Sequence, residues 1–275
     1  MNLKKYFQQP RVMGILNVTP DSFSDGGIFF LQKKNPISPH PAVLRGLQMI
    51  REGVDIIDVG GESTGPGSLF VPLEEELRRV IPVIRKISLF AREKNALISI
   101  DTYKAEVARK AILAGADMIN DVTALRGDPA MAEVLAKHKV PIILMYSKDT
   151  TPRTTRKKIR YKNVIATIEN FLKARIKFAD NHGIQKSQII LDPGMGAFLS
   201  GIPDYSFEVL YRLGELKKLG FPLLLGSSRK SMFGGFMEDR FIPGLFAAAV
   251  AWQNGASCVR VHNTKEAVQL RNMRC

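Results

Sequence analysis

The sequence predicts an α/β protein made of one (β/α)8 TIM barrel over residues 1–275, with a binding site at the C-terminal rim of its strands. Short apolar runs alternate with amphipathic helical patterns eight times along the chain, and such alternation favours a parallel sheet. No linker or low-complexity segment interrupts it, and the 275 residues are close to the ~250 usual for such barrels. Eight strand–helix pairs indicate a closed barrel rather than an open sheet.

Each predicted strand is a short apolar run that polar or turn-forming residues interrupt. The strands are expected at Arg11–Leu16, Asp55–Val59, Leu97–Ile100, Asp117–Ile119, Pro141–Met145, Ile189–Leu191, Leu223–Leu225 and Cys258–Val261. The helices that follow them are expected at Pro41–Glu52, Leu73–Lys94, Lys104–Ala114, near Pro129–Lys137, at Asn163–His182, near Ser206–Leu219, at Gly244–Asn254 and at Thr264–Arg274.

Local signals mark several helix ends. The acidic residues Glu74–Glu76 lie in the first turn of the second helix, where the helix dipole favours negative charge. Gly115 and Gly183 follow two other helical patterns and are typical of helix C-termini. Thr264 is expected to be the N-cap of the last helix, because its hydroxyl can accept a backbone hydrogen bond there.

Composition indicates an ordinary soluble globular protein. Hydrophobic residues make up 45% and charged residues 24% of the chain. No apolar run approaches the ~18 residues that span a bilayer, and no apolar stretch follows the two lysines of MNLKKYFQQP. Cys258 and Cys275 have no metal-type spacing, which favours a reduced setting. We therefore expect a cytoplasmic protein without a membrane partner.

The net charge of +14 is explained most simply by Lys and Arg on solvent-facing helix surfaces. The densest basic stretch, Arg153–Lys162, has six basic residues in ten. It contains no RNA-binding signature and no helix-turn-helix pattern. We therefore expect small-molecule partners rather than nucleic acid.

The stretch Arg11–Gly27 is the one around which we expect the site to form. Its apolar run ends abruptly at Asn17, and the residues that follow are rich in hydroxyl and carboxylate oxygens. Pro20 restricts the backbone of this loop, whereas the glycine pair at its end allows the backbone a wide range of conformations. A strand that delivers such a loop to one end of a barrel is a common way to build a site.

Polar residues also end most of the other apolar runs, and in a barrel all these positions surround one rim. They include Thr64, Asp101, Asn120, Asp192, Lys230 and His262. A single Asp or Asn at such a position is often only a turn former or helix cap. Five or more at the same structural position are hard to explain in that way.

Three of these residues suit a flat heterocycle. Asp101, Asn120 and Asp192 offer carboxylate and amide groups inside an apolar wall. Carboxylates accept paired N–H donors, and an amide can both donate and accept. The set therefore suits an amidine-like edge, such as that of a pterin, and Lys230 adds a cation that can meet a ring carbonyl.

The last strand carries a second group of ligands. Arg260 and His262 are two positions apart, so their side chains face the same way. Together with Asn17 they could hold an anionic leaving group or a metal bound to it. The predicted site thus has a heterocycle end and a phosphate end.

Seven segments resemble dihydropteroate synthases, in the order that this family uses. They are MGILNVTPDSFSDGG, IIDVGGEST, ISIDT, INDV, LDPGMG, SRKSMFG and VRVHN, and the match spans about Val12 to Asn263. The resemblance implies a (β/α)8 barrel of folate biosynthesis. Such an enzyme condenses (7,8-dihydropterin-6-yl)methyl diphosphate with 4-aminobenzoate to give 7,8-dihydropteroate and diphosphate. The resemblance also implies Mg²⁺ as cofactor and a homodimer.

Roles for single residues follow from the same resemblance. The residues that would line the pterin pocket are Thr64, Asp101, Asn120, Asp192 and Lys230. Arg260 and His262 would hold the diphosphate, Asn17 would bind Mg²⁺, and Ser231 would lie near the aminobenzoate carboxylate. The loops Val18–Gly27 and Glu62–Gly67 would fold over the aminobenzoate.

The reaction that the resemblance implies needs no strong base. Departure of diphosphate leaves a carbon cation that is delocalised into the pterin, and the aminobenzoate amine is already a nucleophile. Shielding, orientation and charge stabilisation therefore suffice for an SN1-like path. We assign Asp21 to stabilisation of the developing cation, and we count Asp101 and Lys230 as catalytic residues too.

The sequence also departs from the family pattern. The usual STRPG is STGPG, so Gly65 replaces an arginine, and LMYSKD and GAFLSG replace the usual sequences after strands five and six. The common RVHD ending is RVHN. Loss of one charge-assisted contact costs about 1.5–3 kcal/mol, and the basic stretch Arg153–Lys162 could compensate. The tracts LDPGMGAFLS and PLLLGSSRKS resemble the sulfonamide-insensitive branch of the family.

Two alternatives stay open at this point. Gly65 and the altered fifth loop are compatible with a degenerate paralogue that binds pterin without turnover. A pterin-dependent methyltransferase on a related barrel is the other alternative, although it would leave Arg260 and His262 without a purpose.

Overall fold

The computed structural model describes residues 2–19, 40–236 and 238–273. Its strands are β1 Arg11–Asn17, β2 Ile56–Gly60, β3 Leu97–Asp101, β4 Met118–Asp121, β5 Ile142–Met145, β6 Ile189–Asp192, β7 Leu224–Leu225 and β8 Cys258–Val261. Its α-helices are α1 Leu3–Tyr6, α2 Pro41–Glu52, α3 Leu73–Glu93, α4 Ala105–Ala114, α5 Met131–His138, α6 Val164–Asn181, α7 Asp204–Arg212, α8 Phe241–Gln253 and α9 Thr264–Asn272.

The eight strands pair in parallel and close into a barrel. Their order in the sheet is β6-β5-β4-β3-β2-β1-β8-β7. The two end strands meet through a parallel bridge between Leu191 and Leu223, and the Leu191 amide donates to the Pro222 carbonyl at 3.0 Å. The predicted (β/α)8 barrel is therefore confirmed. None of the helices within the described ranges is long and apolar enough to cross a membrane.

The barrel interior is apolar at the N-terminal ends of the strands. This layer consists of Met13, Ile56, Met118, Ile143, Ile190, Leu224 and Cys258, and Leu3 and Phe7 close it from below. Side chains on a strand alternate between its two faces, so the residues two positions further along also point inward. Those residues include Asp58, Asn120, Asp192 and Arg260. A polar layer therefore lies directly above an apolar plug.

Several polar residues that we predicted as strand terminators belong to the strands themselves. Asn17, Asp101 and Asp192 are the last residues of β1, β3 and β6. They pair across the sheet, Asn17 with Gly60, Gly60 with Asp101, and Asp192 with Met145. Because the ladder continues through them, the sheet itself fixes the direction of their side chains.

Three helix predictions are wrong in detail, and one of them is the helix expected at Gly244–Asn254, which begins at Phe241. The helix expected near Ser206–Leu219 begins earlier, at Asp204, and its second half, Leu213–Leu219, is a 3-10 helix. Thr264 is not the N-cap of the last helix, since Asn263 occupies that position. The buried Thr264 hydroxyl instead accepts from Arg45 at 3.0 Å and donates to Glu52. It therefore ties α9 to α2, and this tertiary contact takes the place of capping.

Gly194, two residues beyond the end of β6, is predicted to be intolerant of any side chain. Its φ is +71°, and an added Cβ would lie 2.3 Å from the Tyr146 carbonyl oxygen. We expect Gly194→Ala to lower the free energy of unfolding by about 2–4 kcal/mol, because strain and overlap add. Denaturant unfolding of the purified variant measures this.

Gly67 provides the matched control. Its φ is +82°, but no atom lies within 4 Å of the added Cβ. Gly67→Ala should therefore lower the free energy of unfolding only through backbone strain, by about 1 kcal/mol. Equal losses in the two variants would contradict the close approach at Gly194.

Candidate active site

Arg260 of β8 bridges two carboxylates in the polar layer of the barrel. Its Nε donates to Asp58 Oδ2 and its Nη2 donates to Asp101 Oδ2, both at 2.6 Å. Asp58 Oδ2 also accepts from Asn120 Nδ2 at 2.9 Å. Side chains from β2, β3, β4 and β8 therefore form one hydrogen-bonded cluster across the barrel interior.

Asp58 was not among the site residues predicted from the sequence. It is fully buried in β2, where every other residue is buried as well. A charged residue inside such an apolar strand is rarely found unless it is paired. The presence of an aspartate in this apolar run could therefore have identified Asp58 as a site residue. Within the described part of the chain, Asp58 Oδ1 and Ser99 Oγ are buried and have no hydrogen-bond partner. Their hydrogen-bonding capacity is therefore unused in this structure.

Two carboxyl groups of the polar interior, Asp101 and Asp192, hold their protons unusually tightly. Burial raises the pKa of Asp101 to about 7, although the Arg260 guanidinium beside it acts in the opposite direction. Burial also raises the pKa of Asp192 to about 6, although a 2.7 Å hydrogen bond from the Gly194 amide acts to lower it. The effect of desolvation on these two pKa values is thus larger than that of the neighbouring cations. The free-energy cost of ionising the buried carboxyl groups falls when a ligand supplies N–H donors.

A cationic cavity of about 1020 Å³ continues from this cluster toward the rim. Its polar lining residues are Asn17, Arg45, Gln48, Ser228, Arg229, Lys230, Arg260, His262 and Asn263. Burial lowers the pKa of Lys230 to about 8, with a further contribution from Arg260. An anion that enters this cavity would meet several cations, of which Lys230 and Arg260 are partly shielded from solvent, and such contacts are strong.

His262 is a neutral imidazole in this cavity. Burial and the nearby cations, Arg229 first among them, lower its pKa to about 3. Its Nδ1 lies 3.0 Å from Ser228 Oγ, and its backbone amide donates to the same oxygen at 3.2 Å. Ser228 therefore fixes the ring, and His262 can offer a hydrogen bond without adding a charge.

The predicted site residues fall into four groups. The residues that the structure brings together by contact or mutual electrostatic influence are Asp101, Asn120, Asp192, Lys230, Arg260 and His262. Asn17 is exposed and lines the rim cavity. Thr64 and Ser231 lie farther out, in the loops after β2 and β7, and Asp21 falls outside the described residues.

Arg153 does not supply the cation that Gly65 lacks. Its guanidinium donates to the buried Glu62 and lies 5.5 Å from the centre of the Phe70 ring. Lys104 also donates to Glu62 and to Glu76. Arg153 is thus occupied in fastening the loop after β5 to the loop after β2.

Comparison with known proteins agrees with this geometry. A family described as "Pterin binding enzyme" matches residues 13–262, so the barrel and its polar interior define a pterin-binding enzyme. The dihydropteroate synthase of Synechocystis sp. is 42% identical over 264 residues, which cover 94% of this chain and 87% of the relative. The chain belongs to the dihydropteroate synthase family, whose members are transferases of folate biosynthesis.

Solved structures lead to the same family. The Xanthomonas albilineans dihydropteroate synthase with 4-aminobenzoic acid superposes with a TM-score of 0.84 at 40% identity, covering 97% of this chain and 92% of that one. The Yersinia pestis enzyme in a sulfonamide drug complex gives a TM-score of 0.85 at 35% identity, covering 97% and 94%. The family resemblance read from the sequence is therefore confirmed.

The raised pKa of Asp192 predicts a pH-dependent loss of stability. Between the ordinary value of 3.8 and about 6, the native state retains a proton that the unfolded chain has released, so this contribution declines as pH rises through that window. Asp192→Asn removes the titration and keeps an oxygen for the Gly194 amide. The variant should gain up to about 3 kcal/mol relative to wild type between pH 4 and 7, as measured by denaturant unfolding.

Asp149 provides a control of opposite sign. Burial raises the pKa of its carboxyl, but hydrogen bonds from Lys148, Thr154 and the Thr155 amide outweigh burial and lower it. Its contribution is therefore present above pH 4 and is lost as pH falls. Asp149→Asn should lose stability near pH 7 and little at low pH. A flat difference for Asp192→Asn across this range would contradict the burial of that charge.

Proposed function

We propose that the polar interior of the barrel binds the dihydropterin ring and that the cationic rim cavity holds its diphosphate during coupling to 4-aminobenzoate. The observation that carries this proposal is the cluster in which Arg260 joins Asp58 and Asp101. The cluster connects a carboxylate-lined interior to a cavity with basic walls. A substrate with a flat N–H-rich end and a polyanionic end is complementary to both parts.

The pterin end is supported by the unused hydrogen-bonding groups. Asn120 donates its amide N–H to Asp58, so its oxygen remains to accept from a ligand. Asp192 uses Oδ1 for the Gly194 amide and keeps its other oxygen. The unpartnered Asp58 Oδ1 lies in the same layer. These acceptors suit the amino and ring N–H groups of a pterin, and Lys230 suits its ring carbonyl.

The reaction breaks the bond between the pterin methylene carbon and the diphosphate oxygen, and the electron pair leaves with diphosphate. The amine nitrogen of 4-aminobenzoate then forms the new bond to this carbon and loses a proton to solvent. Arg260 stabilises the charge that develops on the leaving group, and neutral His262 donates a hydrogen bond to it. Asp101 is assigned to the pterin side of the site, where the carbon becomes positive. Fixing both reactants in this geometry replaces the need for a strong base.

Mg²⁺ is proposed as the metal that accompanies the diphosphate. Asn17 offers one amide oxygen at the exposed rim of the cavity. Residues 2–19, 40–236 and 238–273 contain no group of three or more His, Cys, Asp or Glu that could hold a metal by themselves. Mg²⁺ commonly takes only one or two protein ligands and completes its shell with phosphate and water, so this donor set fits. When bound, the metal neutralises part of the diphosphate charge.

Three further roles remain proposals from the family resemblance. Thr64 is assigned to the pterin pocket, and Ser231 to the neighbourhood of the aminobenzoate carboxylate. Asp21, outside the described residues, is assigned to stabilisation of the developing cation. Full turnover by an Asp21→Asn enzyme with both substrates would show that this last role is wrong.

A homodimer and a cytoplasmic location are proposed as well. Helices α7 and α8 pack against each other, and they carry exposed Tyr211, Ile242 and Phe246, with 64%, 74% and 69% of their surface accessible. Clustered exposed apolar side chains of this size are typical of an interface. Cys258 is a free thiol in the barrel interior, which suits a reducing compartment.

The dimer proposal predicts a defined response to Phe246→Glu. A charge on the exposed face of α8 should convert the dimer to a monomer, because it would be buried unpaired in the interface. Light scattering after size-exclusion chromatography measures the mass. Leu113→Glu on α4, where the side chain is 66% accessible, is the control and should leave the dimer intact. A monomeric wild-type protein, or a dimeric Phe246→Glu protein, would contradict the proposed face.

Diphosphate release tests the reaction directly. Purified protein with the pterin diphosphate, 4-aminobenzoate and Mg²⁺ should release one diphosphate for each dihydropteroate formed. Arg260→Gln should lower kcat/KM by at least about 100-fold, because it removes a charged contact to the leaving group and the bridge between two carboxylates. Tight pterin binding without any product would instead favour the paralogue that does not turn over.

A further inference from the structure

A second, smaller cavity opens beside the rim. It has a volume of about 270 Å³ and lies between the loops that follow β5, β6 and β7. Its polar side chains are Arg156, Lys158, Ser200, Ser206 and Ser231, and small residues such as Gly196 and Gly201 form much of the remaining wall. We refer to it as the side cavity. The proposed function does not account for its two cations.

The backbone that carries these cations is firmly held. The Gly201 amide donates to the Lys157 carbonyl at 3.0 Å, and Ser200 Oγ donates to the Ile159 carbonyl at 2.8 Å and accepts from the Ile159 amide at 3.0 Å. A Cβ at Gly201 would lie 2.4 Å from the Arg156 carbonyl oxygen. The two loops are therefore in close backbone contact, and the side cavity is a built feature rather than a chance gap.

The charges of the side cavity are not neutralised by the protein. Residues 150–168 contain six basic residues and no Asp or Glu. Of these six, Arg153 is paired with Glu62, whereas Arg156 and Lys158 form no ion pair with the described residues. No carboxylate lines the cavity. Two cations with hydroxyl groups beside them favour an anion with several oxygens.

The side cavity adjoins the rim cavity through Lys230 and Ser231. A Cβ at Gly196, in the wall of the side cavity, would lie 3.4 Å from Cδ of Lys230. Lys230 lines the rim cavity and its neighbour Ser231 lines the side cavity. A molecule coupled in the rim cavity can therefore extend its far end past Ser231 toward Arg156 and Lys158.

We infer that Arg156 and Lys158 bind the anionic end of the arylamine substrate and favour arylamines that carry more than one carboxylate. This inference rests on the proposed function, because it concerns the second substrate of the same site. The departing diphosphate is the other anion of the reaction. It is the poorer occupant of the side cavity, because Arg229, Lys230 and Arg260 already surround the rim cavity.

The test compares three arylamines that differ in charge: neutral 4-aminobenzamide, 4-aminobenzoate, and 4-aminophthalate with two adjacent carboxylates. Wild-type protein should bind 4-aminophthalate better than 4-aminobenzamide, as a substrate or as a competitor of 4-aminobenzoate. The double variant Arg156→Gln, Lys158→Gln should lose at least about tenfold in affinity for 4-aminophthalate, which is the size of one charge-assisted contact. The affinity of this variant should fall less for 4-aminobenzoate and should be unchanged for 4-aminobenzamide.

A second double variant separates local recognition from the general field of the basic stretch. Arg160 and Lys162 are exposed and line neither cavity, so Arg160→Gln, Lys162→Gln removes the same charge and should leave all three affinities unchanged. Equal losses in both double variants would overturn the inference. So would a changed KM for the pterin diphosphate with unchanged arylamine affinities, or 4-aminophthalate binding to wild type no better than 4-aminobenzamide.

The proposed function fails by a different result. If wild-type protein releases no diphosphate with any arylamine, the coupling reaction is absent. Arylamine affinity, measured by calorimetry with the pterin diphosphate present, still reports on the side cavity in that case. The two failures are therefore distinguishable.

Discussion

The pocket depends on one buried guanidinium. Arg260 spans from β8 to Asp58 of β2 and Asp101 of β3, and without it two carboxylates would face each other, one fully buried and the other with only 21% of its side chain exposed. Buried ion pairs often add little to stability, because desolvation cancels their attraction. Their presence above an apolar plug is therefore better explained by ligand recognition than by folding. Burial leaves Asp101 with a pKa of about 7 and Asp192 with one of about 6, so the free pocket is strained electrostatically and a ligand with N–H donors relieves that strain.

Much of this arrangement could be predicted because barrels place the ends of their strands at one rim. The polar terminators Asp101, Asn120 and Asp192 were recognisable from the abrupt end of apolar runs, and Arg260 and His262 from their two-residue spacing. Asp58 was not recognised, because it lies within a buried strand and its partners are 62 and 202 residues away in sequence. Local patterns do not encode such partners. Thr264 was misassigned for the same reason, since its contacts with Arg45 and Glu52 come from α2.

A buried ion cluster joins the loops after β2 and β5. Gly65 carries no side chain, and Arg153 from the basic stretch does not reach out in its place. Instead Arg153, Lys104 and the buried Glu62 and Glu76 hold these loops together. Breaking such a buried cluster is costly, typically about 3–5 kcal/mol when one partner is removed. Of the remaining cations of the basic stretch, Arg156 and Lys158 line the side cavity.

The central claim is that Arg260 and Asp58 act as one unit in the pterin pocket. A double-mutant cycle of Arg260→Gln and Asp58→Asn, read out by calorimetric affinity for a pterin, tests it most directly. The account predicts a coupling energy of at least about 1.5 kcal/mol, because each residue positions the other. If the losses of binding free energy in the two single variants sum to the loss in the double variant within about 0.5 kcal/mol, the tolerance for independent sites, the bridge does not organise the pocket.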